Sequence, residues 1–137
     1  MALTGSFTPK ELQYQAETLY QGIAYTIFMA LNPGGLTIDS TVAQWEAAKL
    51  AATNGYADQA GTVGVGSWNA GQSRWDLPPS IATFVASGGS FTFDTVLVKL
   101  TGRTYPVMLF TEPSPATLNS GQGRTYTFNL GQKQLTA

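Results

Sequence analysis

Whatever chemistry this chain carries is done without histidine or cysteine, since neither occurs among its 137 residues. That removes Ser-His-Asp and Cys-His catalysis, imidazole metal sites, thiolate ligands and disulfides together. What remains is eight carboxylates against seven basic side chains. A paired-carboxylate mechanism would single out Asp94, which falls inside an apolar, strand-like run where a proton donor could be sheltered. The commoner role of an aspartate there is an outward or hydrogen-bonded strand residue. Asp39, Asp58 and Asp76 lack the Asp-x-Asp-x-Asp-Gly spacing of a calcium loop. Gly61-x-x-Gly64-x-Gly66 is followed neither by Gly-Lys-Ser/Thr nor by a helical pattern, so it reads as a bulged or looping β-segment rather than a phosphate cradle. The expectation is therefore a protein that is not an enzyme, with no catalytic residue, no cofactor and no metal site.

Aromatic side chains are the second possible source of chemistry. Trp45, Trp68 and Trp75, with Tyr56 and Tyr105, offer flat faces of the kind that stack on sugar rings. Gln44, Asn69 and Gln72 stand beside the tryptophans and would hydrogen-bond hydroxyls. Packing in a core or an interface is the more frequent use of Trp at this density. A glycan site built on Trp68, Trp75 and Tyr56 is nonetheless the alternative functional reading.

The elements that must position these residues centre on Ser90–Leu100, Ser-Phe-Thr-Phe-Asp-Thr-Val-Leu-Val-Lys-Leu. It is free of Gly and Pro and rich in β-branched and aromatic residues, which suits a pleated, buried surface. Strict alternation puts Phe91, Phe93, Thr95, Leu97 and Lys99 on one face and Thr92, Asp94, Val96, Val98 and Leu100 on the other. Both faces carry apolar residues, so a central strand covered on each side is expected. Before it, Ile81–Ala86 and the turn Ser87-Gly88-Gly89 predict a hairpin into this strand. After it, Tyr105–Phe110 reads as a buried strand, Glu112-Pro113-Ser114-Pro115 as a corner and Ala116–Leu118 as a further short strand. Arg124–Leu130 closes the chain with Tyr126, Phe128 and Leu130 on the buried face.

Toward the N-terminus, Thr8-Pro9-Lys10-Glu11 is a capping-box pattern, with Pro at the first helical position. Leu12, Ala16, Leu19, Tyr20 and Ile23 then recur at helical spacing until Gly22 stops the helix. Tyr25–Leu31 reads as a buried strand ended by Asn32-Pro33-Gly34-Gly35. Thr41–Ala52 predicts a second, weaker helix, and Ser73–Leu77 an extended segment with Trp75 inward. Seven or eight short strands at regular spacing, after a helical start, predict a mainly β fold: a β-sandwich or jelly-roll-like barrel. Length fits one domain over 1–137, with 1–7 and 131–137 as extended arms.

Composition limits the partners. Charged residues make up 11% of the chain, against roughly 25% in ordinary soluble domains. Low charge weakens colloidal repulsion, so a subunit that hides part of its surface in an assembly is expected. The net charge is −1 and the basic residues are dispersed from Lys10 to Lys133, so no stripe tracks a phosphate backbone and no nucleic acid is expected. The longest apolar run, Ile23–Leu31, is far too short to span a bilayer, and Met1–Ser6 lacks the pattern of a secretory signal. Neither membrane association nor export by a signal of its own is expected.

The order of these parts resembles a known group. Ala24-Tyr25-Thr26-Ile27-Phe28-Met29-Ala30-Leu31 follows the first helix, and Gly55-Tyr56-Ala57-Asp58-Gln59 follows a polar connection. Ala82-Thr83-Phe84-Val85-Ala86-Ser87 comes next, and the chain closes with Pro115–Gln122 and Thr125-Tyr126-Thr127-Phe128-Asn129-Leu130. This series over residues 12–130 resembles small β-rich virion proteins of tailed bacteriophages, the head-decoration, head-fibre and tail-fibre-like proteins. The resemblance implies a subunit on the capsid surface or tail, assembled in the host cytoplasm. It implies as partners the major capsid protein or other virion subunits, in a dimeric or trimeric homo-oligomer. The role implied is decoration or cementing of the shell, with contacts from Leu3, Phe7, Leu12, Leu19, Tyr20 and Leu135. A glycan-binding fibre or knob, or a tail or baseplate component, is the alternative.

Overall fold

The structure is a computed structural model and describes residues 8–129. Leu3, Phe7, Leu130, Leu135 and both expected arms lie outside the described residues. The fold is mainly β, as expected, with antiparallel sheets, two helices and no closed barrel among the described residues. In chain order the elements are α1 (Pro9–Leu19), β1 (Ala24–Ala30), α2 (Val42–Ala47), β2 (Gln59–Thr62) and β3 (Ser67–Asn69). Then follow β4 (Arg74–Asp76), β5 (Ser80–Val85), β6 (Phe91–Leu100), β7 (Met108–Leu118) and β8 (Gly123–Phe128). They form a four-stranded sheet in the order β2-β1-β6-β7 and two ribbons, β3-β4 and β5-β8. The chain divides into two compact units, one of residues 8–23, 62–80 and 127–129, the other of 24–61 and 81–126.

In the first unit, α1 starts where the capping residues place it. Thr8 Oγ1 accepts from the Glu11 amide at 3.3 Å, and Pro9 occupies the first turn, where its missing N–H costs nothing. The Glu11 carboxylate turns along the helix and accepts from Gln15 at 3.2 Å instead of reaching back to the cap. Leu12 and Ala16 are buried and α1 packs on β4. Beyond the helix, Gly22 with φ +75° turns the chain, and its amide donates to the Val63 carbonyl at 2.9 Å. The β3-β4 hairpin pairs Trp68 directly with Trp75. Gly66 is required by close approach: a Cβ there would lie 2.8 Å from the Asp76 carbonyl oxygen and against the Trp75 indole nitrogen.

The second unit is organised on β6, which is hydrogen-bonded to β1 on one side and β7 on the other. One irregularity corrects the predicted faces of this strand. Thr95 pairs with Thr111 but Phe93 pairs with Ala116, so residues 112–115 of β7 lie opposite Asp94 alone. This bulge puts the neighbours Asp94 and Thr95 on the same side of the sheet, where both line one recess. Phe91 and Phe93 consequently join Val96, Val98 and Leu100 on the opposite face, an apolar set that alternation alone had split. Tyr56 meets Phe91 edge-on at 5.6 Å and stacks on Phe84 of β5 at 5.9 Å. Tyr126 of β8 packs on Phe110 at 5.7 Å, completing a second layer over this face. The other face is covered by α2, whose Trp45 packs with Phe28, Ala30 and Leu97.

Three further expectations are corrected. Ile81–Ala86 does not form a hairpin with β6; β5 pairs with β8, because its inward residues Ala82 and Phe84 are needed in the second layer. Residues 108–118 form one strand rather than a strand, a corner and a second strand. Pro113 and Pro115 are tolerated because they sit in the bulge of an edge strand, where no ladder bond is lost. The predicted helix 41–52 is helical only over α2, despite its alanines. Thr41 and Gln44 form a full capping box, but after Ala47 the backbone leaves the helix. Lys49 there bridges to Ala30, and the Leu50 amide donates to the Met29 carbonyl at 3.1 Å. Sheet pairing outweighs helix propensity at that point.

Tyr56 completes the same strand edge. Its hydroxyl accepts from the Met29 amide at 2.7 Å and donates to Asp58 at 2.9 Å. Burial pushes the hydroxyl well above its ordinary value of 10.0, and burial also raises Tyr126. A raised folded-state value means that the stabilisation is full below the unfolded value and is lost as pH rises through and beyond about 10. Tyr56→Phe is expected to lower stability at pH 7 by about 1–3 kcal/mol, since it orphans a buried amide. It should also make the alkaline loss of stability shallower than in the wild type. Urea unfolding followed at pH 7 and over the alkaline range measures both.

Candidate functional site

The carboxylates sort themselves by partner. Asp58 pairs with Lys49, Asp76 with Arg74, Glu46 with Lys99 and Glu112 with Arg124. Glu11 and Glu17 accept from glutamines on the exposed surface of α1, and Asp39 is itself exposed. Asp94 differs from all of these: it is half-buried and forms no ion pair among the described residues. Its Oδ1 accepts from the Asn32 amide at 2.9 Å and from the Thr95 hydroxyl at 2.9 Å. The irregular pairing of β6 with β7 aims Asp94, and the turn after β1 presents Asn32 to it. That turn is stiffened by Asn32 itself, whose Oδ1 accepts from Gly34 at 2.8 Å while its Nδ2 donates to the Leu36 carbonyl at 2.9 Å.

Above Asp94 lies a recess of about 210 Å3, partly open to solvent. Leu36, Ile38 and Leu109 form apolar walls, Thr37 and Thr111 add hydroxyls, and Trp45 contributes to the lining. Trp45 is only 2% exposed, and its indole Nε1 is buried without a hydrogen-bond partner. The recess therefore combines a carboxylate without an ion pair, threonine side chains and hydrocarbon surface, while the Trp45 indole nitrogen has no accessible surface of its own. Chemically it can take up hydrogen-bonding groups and hold a small apolar face. Among the described residues, no group of three or more His, Cys, Asp or Glu could hold a metal, and no helix is long and apolar enough to cross a membrane.

The residues expected to act from the sequence are dispersed. Leu12 is buried under α1, Leu19 is exposed and Tyr20 is half-buried at the helix C-cap. Trp68 stands 38% exposed on β3, while Trp75 opposite it is half-buried with its Nε1 unpartnered. Tyr56, the third member of the expected glycan set, belongs to the other unit, where Phe84 covers its ring. Tyr105 is exposed and receives a hydrogen bond from Arg103 at 3.2 Å. Trp45 and Asp94, considered separately in the sequence, line the same recess. Asn32, Leu36, Ile38, Leu109 and Thr111 carried no functional signal. The Asn-Pro-Gly-Gly turn could have marked the first of them, but nothing local ties Asn32 to an aspartate 62 positions away.

Comparison with known protein families, with curated proteins and with solved structures finds no match to this chain. Function is therefore argued from the residues themselves. Trp68→Ala should cost about 0.2–1 kcal/mol, the scale of one cross-strand pair, because the ring is substantially exposed. A thermal melt of the variant within a few degrees of wild type confirms that scale, and unfolding at ambient temperature refutes it.

Proposed function

We propose that this chain is a non-enzymatic structural subunit of a tailed-phage virion, which docks on the capsid surface and stabilises the shell. The observation that carries the reading is the outward face of the β5-β8 ribbon in the second unit. Ile81 is 60% exposed there and Val85 48%, with Thr83 and Thr125 joined between them by a 3.0 Å hydroxyl contact. The stretch presents no ionisable side chain, since Arg124 and Tyr126 alternate to the inner face. An uncharged sheet surface of this kind suits burial against a neighbouring subunit. The ion pairs of the same unit add to this, because they spend its few charges on one another and leave little repulsion toward a partner shell. Binding to the assembled particle in preference to free subunits would stabilise it by mass action.

A second reading, a fibre or knob module that binds host glycans, is favoured by one feature. The exposed Trp68 ring stands on the β3-β4 hairpin beside Asn69, whose amide donates to Asp76 at 2.8 Å. The docking proposal is tested by Ile81→Glu combined with Val85→Glu. Both positions are exposed, so the isolated protein should keep its melting temperature, with surface substitutions costing about 0.5 kcal/mol each. Occupancy on shells assembled from the major capsid protein of the same phage should fall at least about tenfold, the result of losing roughly 1.4 kcal/mol of contact. Unchanged occupancy would remove this face from the docking surface, and absence of wild-type binding would remove the decoration role.

A further inference from the structure

We infer that Asn54 is a self-modification site gated by the fold: the turn at Val85–Ser90 protects its side-chain amide while docked, and lifting that turn opens the residue to deamidation. The inference does not depend on the docking reading. Asn54-Gly55 is the single Asn-Gly pair in the sequence. Glycine has no side chain to shield its backbone nitrogen, so that nitrogen can attack the amide before it. The Gly55 nitrogen bonds to Asn54 Cγ, the Cγ–Nδ2 bond breaks, and ammonia leaves with the Gly55 amide proton, giving a cyclic succinimide. Water then opens the ring at either carbonyl and leaves aspartate or isoaspartate, with no oxidant or reductant required. Asn32 is excluded from this route, because Pro33 has no N–H to give up. Asn69, Asn119 and Asn129 precede Ala70, Ser120 and Leu130, whose side chains hinder the attack.

The structure holds this pair still. Asn54 at φ +56° and Gly55 at φ +83° make a two-residue turn, closed by the Tyr56 amide donating to the Thr53 carbonyl at 3.0 Å. Asparagine tolerates this left-handed backbone, and the segment between β5 and β6 fixes it there. The Asn54 carbonyl accepts from the Ser87 amide at 2.9 Å, and Asn54 Nδ2 donates to the Ser90 carbonyl at 2.8 Å. The fit is close: a Cβ on Gly89 would lie 2.5 Å from Asn54 Oδ1, and one on Gly55 would lie 2.6 Å from Ser87 Oγ. Succinimide closure requires the side chain to turn until Cγ faces the Gly55 nitrogen, which competes with the bond to Ser90. Asn54 and Gly55 are both exposed, so water reaches them once the turn lifts. The products cannot rebuild the contact. Aspartate sets a carboxylate oxygen, instead of a donor, against the Ser90 carbonyl, and isoaspartate adds a main-chain atom to a two-residue turn. Deamidation therefore leaves a permanent record of opening and loosens the turn further.

The test ages the full-length protein at neutral pH and follows each asparagine by peptide mapping and mass spectrometry, with Asn119 as the internal reference. The folded chain is compared with the same chain unfolded in guanidinium chloride, and with folded Gly89→Ala, whose methyl group pushes Asn54 off the Ser90 carbonyl. Asn54 should be the fastest site in the unfolded chain. Folding should slow it at least about tenfold, the protection given by a segment that costs roughly 1.4 kcal/mol to lift. Gly89→Ala should restore much of the lost rate at Asn54 and leave Asn119 unchanged. Asn54→Asp, which copies one product, should lower the melting temperature by several degrees. Equal Asn54 rates in the folded and unfolded chains overturn the proposal, as does a Gly89→Ala protein that folds and still protects Asn54. Should Gly89→Ala fail to fold, the wild-type comparison decides alone. An unchanged melting temperature in Asn54→Asp overturns the claim that the product loosens the turn.

Discussion

Everything in the larger unit depends on β6 being buried on both faces while carrying an aspartate in its middle. A strand buried on both faces must offer apolar side chains in both directions, and strict alternation from Phe91 would place Asp94 among the valines. The bulge resolves the conflict. With residues 112–115 of β7 opposite Asp94 alone, the strand changes phase, and the two phenylalanines move to the side of Val96, Val98 and Leu100. The polar pair Asp94 and Thr95 lies together on the side where the Asn32 turn supplies a donor. This irregularity in the pairing therefore creates both the aromatic layer under β5-β8 and the recess beside Trp45.

The same unit treats its strand edges as problems to be closed. Exposed edges invite pairing with other chains, and most proteins cover or interrupt them. On β1 the stretch near Met29 is sealed by the Leu50 amide and the Tyr56 hydroxyl. On β7 two prolines and a bulge interrupt the free side. Association through main-chain addition is thereby discouraged at these places, and side-chain faces are left as the means of contact. Low charge works in the same direction: four ion pairs account for half of the carboxylates, and what remains exposed on β5-β8 is Ile, Val and Thr. These properties support the proposed role as a subunit that lies against other subunits.

The recess and the docking face ask different things of the protein. The proposed docking uses side chains that stand largely exposed, Ile81 at 60% and Val85 at 48%, so their replacement is expected to leave the fold intact. Asp94, by contrast, is held by the Asn32 amide and the Thr95 hydroxyl, so changes there act on stability. The two places are separate in the fold, since Ile81 and Val85 stand on β5 and the recess is lined from β6, β7, α2 and the loop before α2.

Local chemistry determined much of this protein from the sequence. Thr8-Pro9 starts α1, and Gly22 with its positive φ turns the chain shortly after the Tyr20 C-cap, because both are satisfied within a few residues. The apolar run 91–100 becomes the central strand, since no other placement buries both its faces. Mainly β architecture, the Asn-Pro-Gly-Gly turn and the buried face of β8 were legible for the same reason. Contacts between distant residues were not. The pairing of β5 with β8, the truncation of the second helix at Ala47 and the phase change at Asp94 each depend on what the tertiary structure brings alongside. So does the recess, which joins an aspartate, a tryptophan and an asparagine turn from three separate stretches of chain. Local signals report the backbone's own preferences, whereas a site is a meeting of surfaces, and only the folded packing decides which surfaces meet.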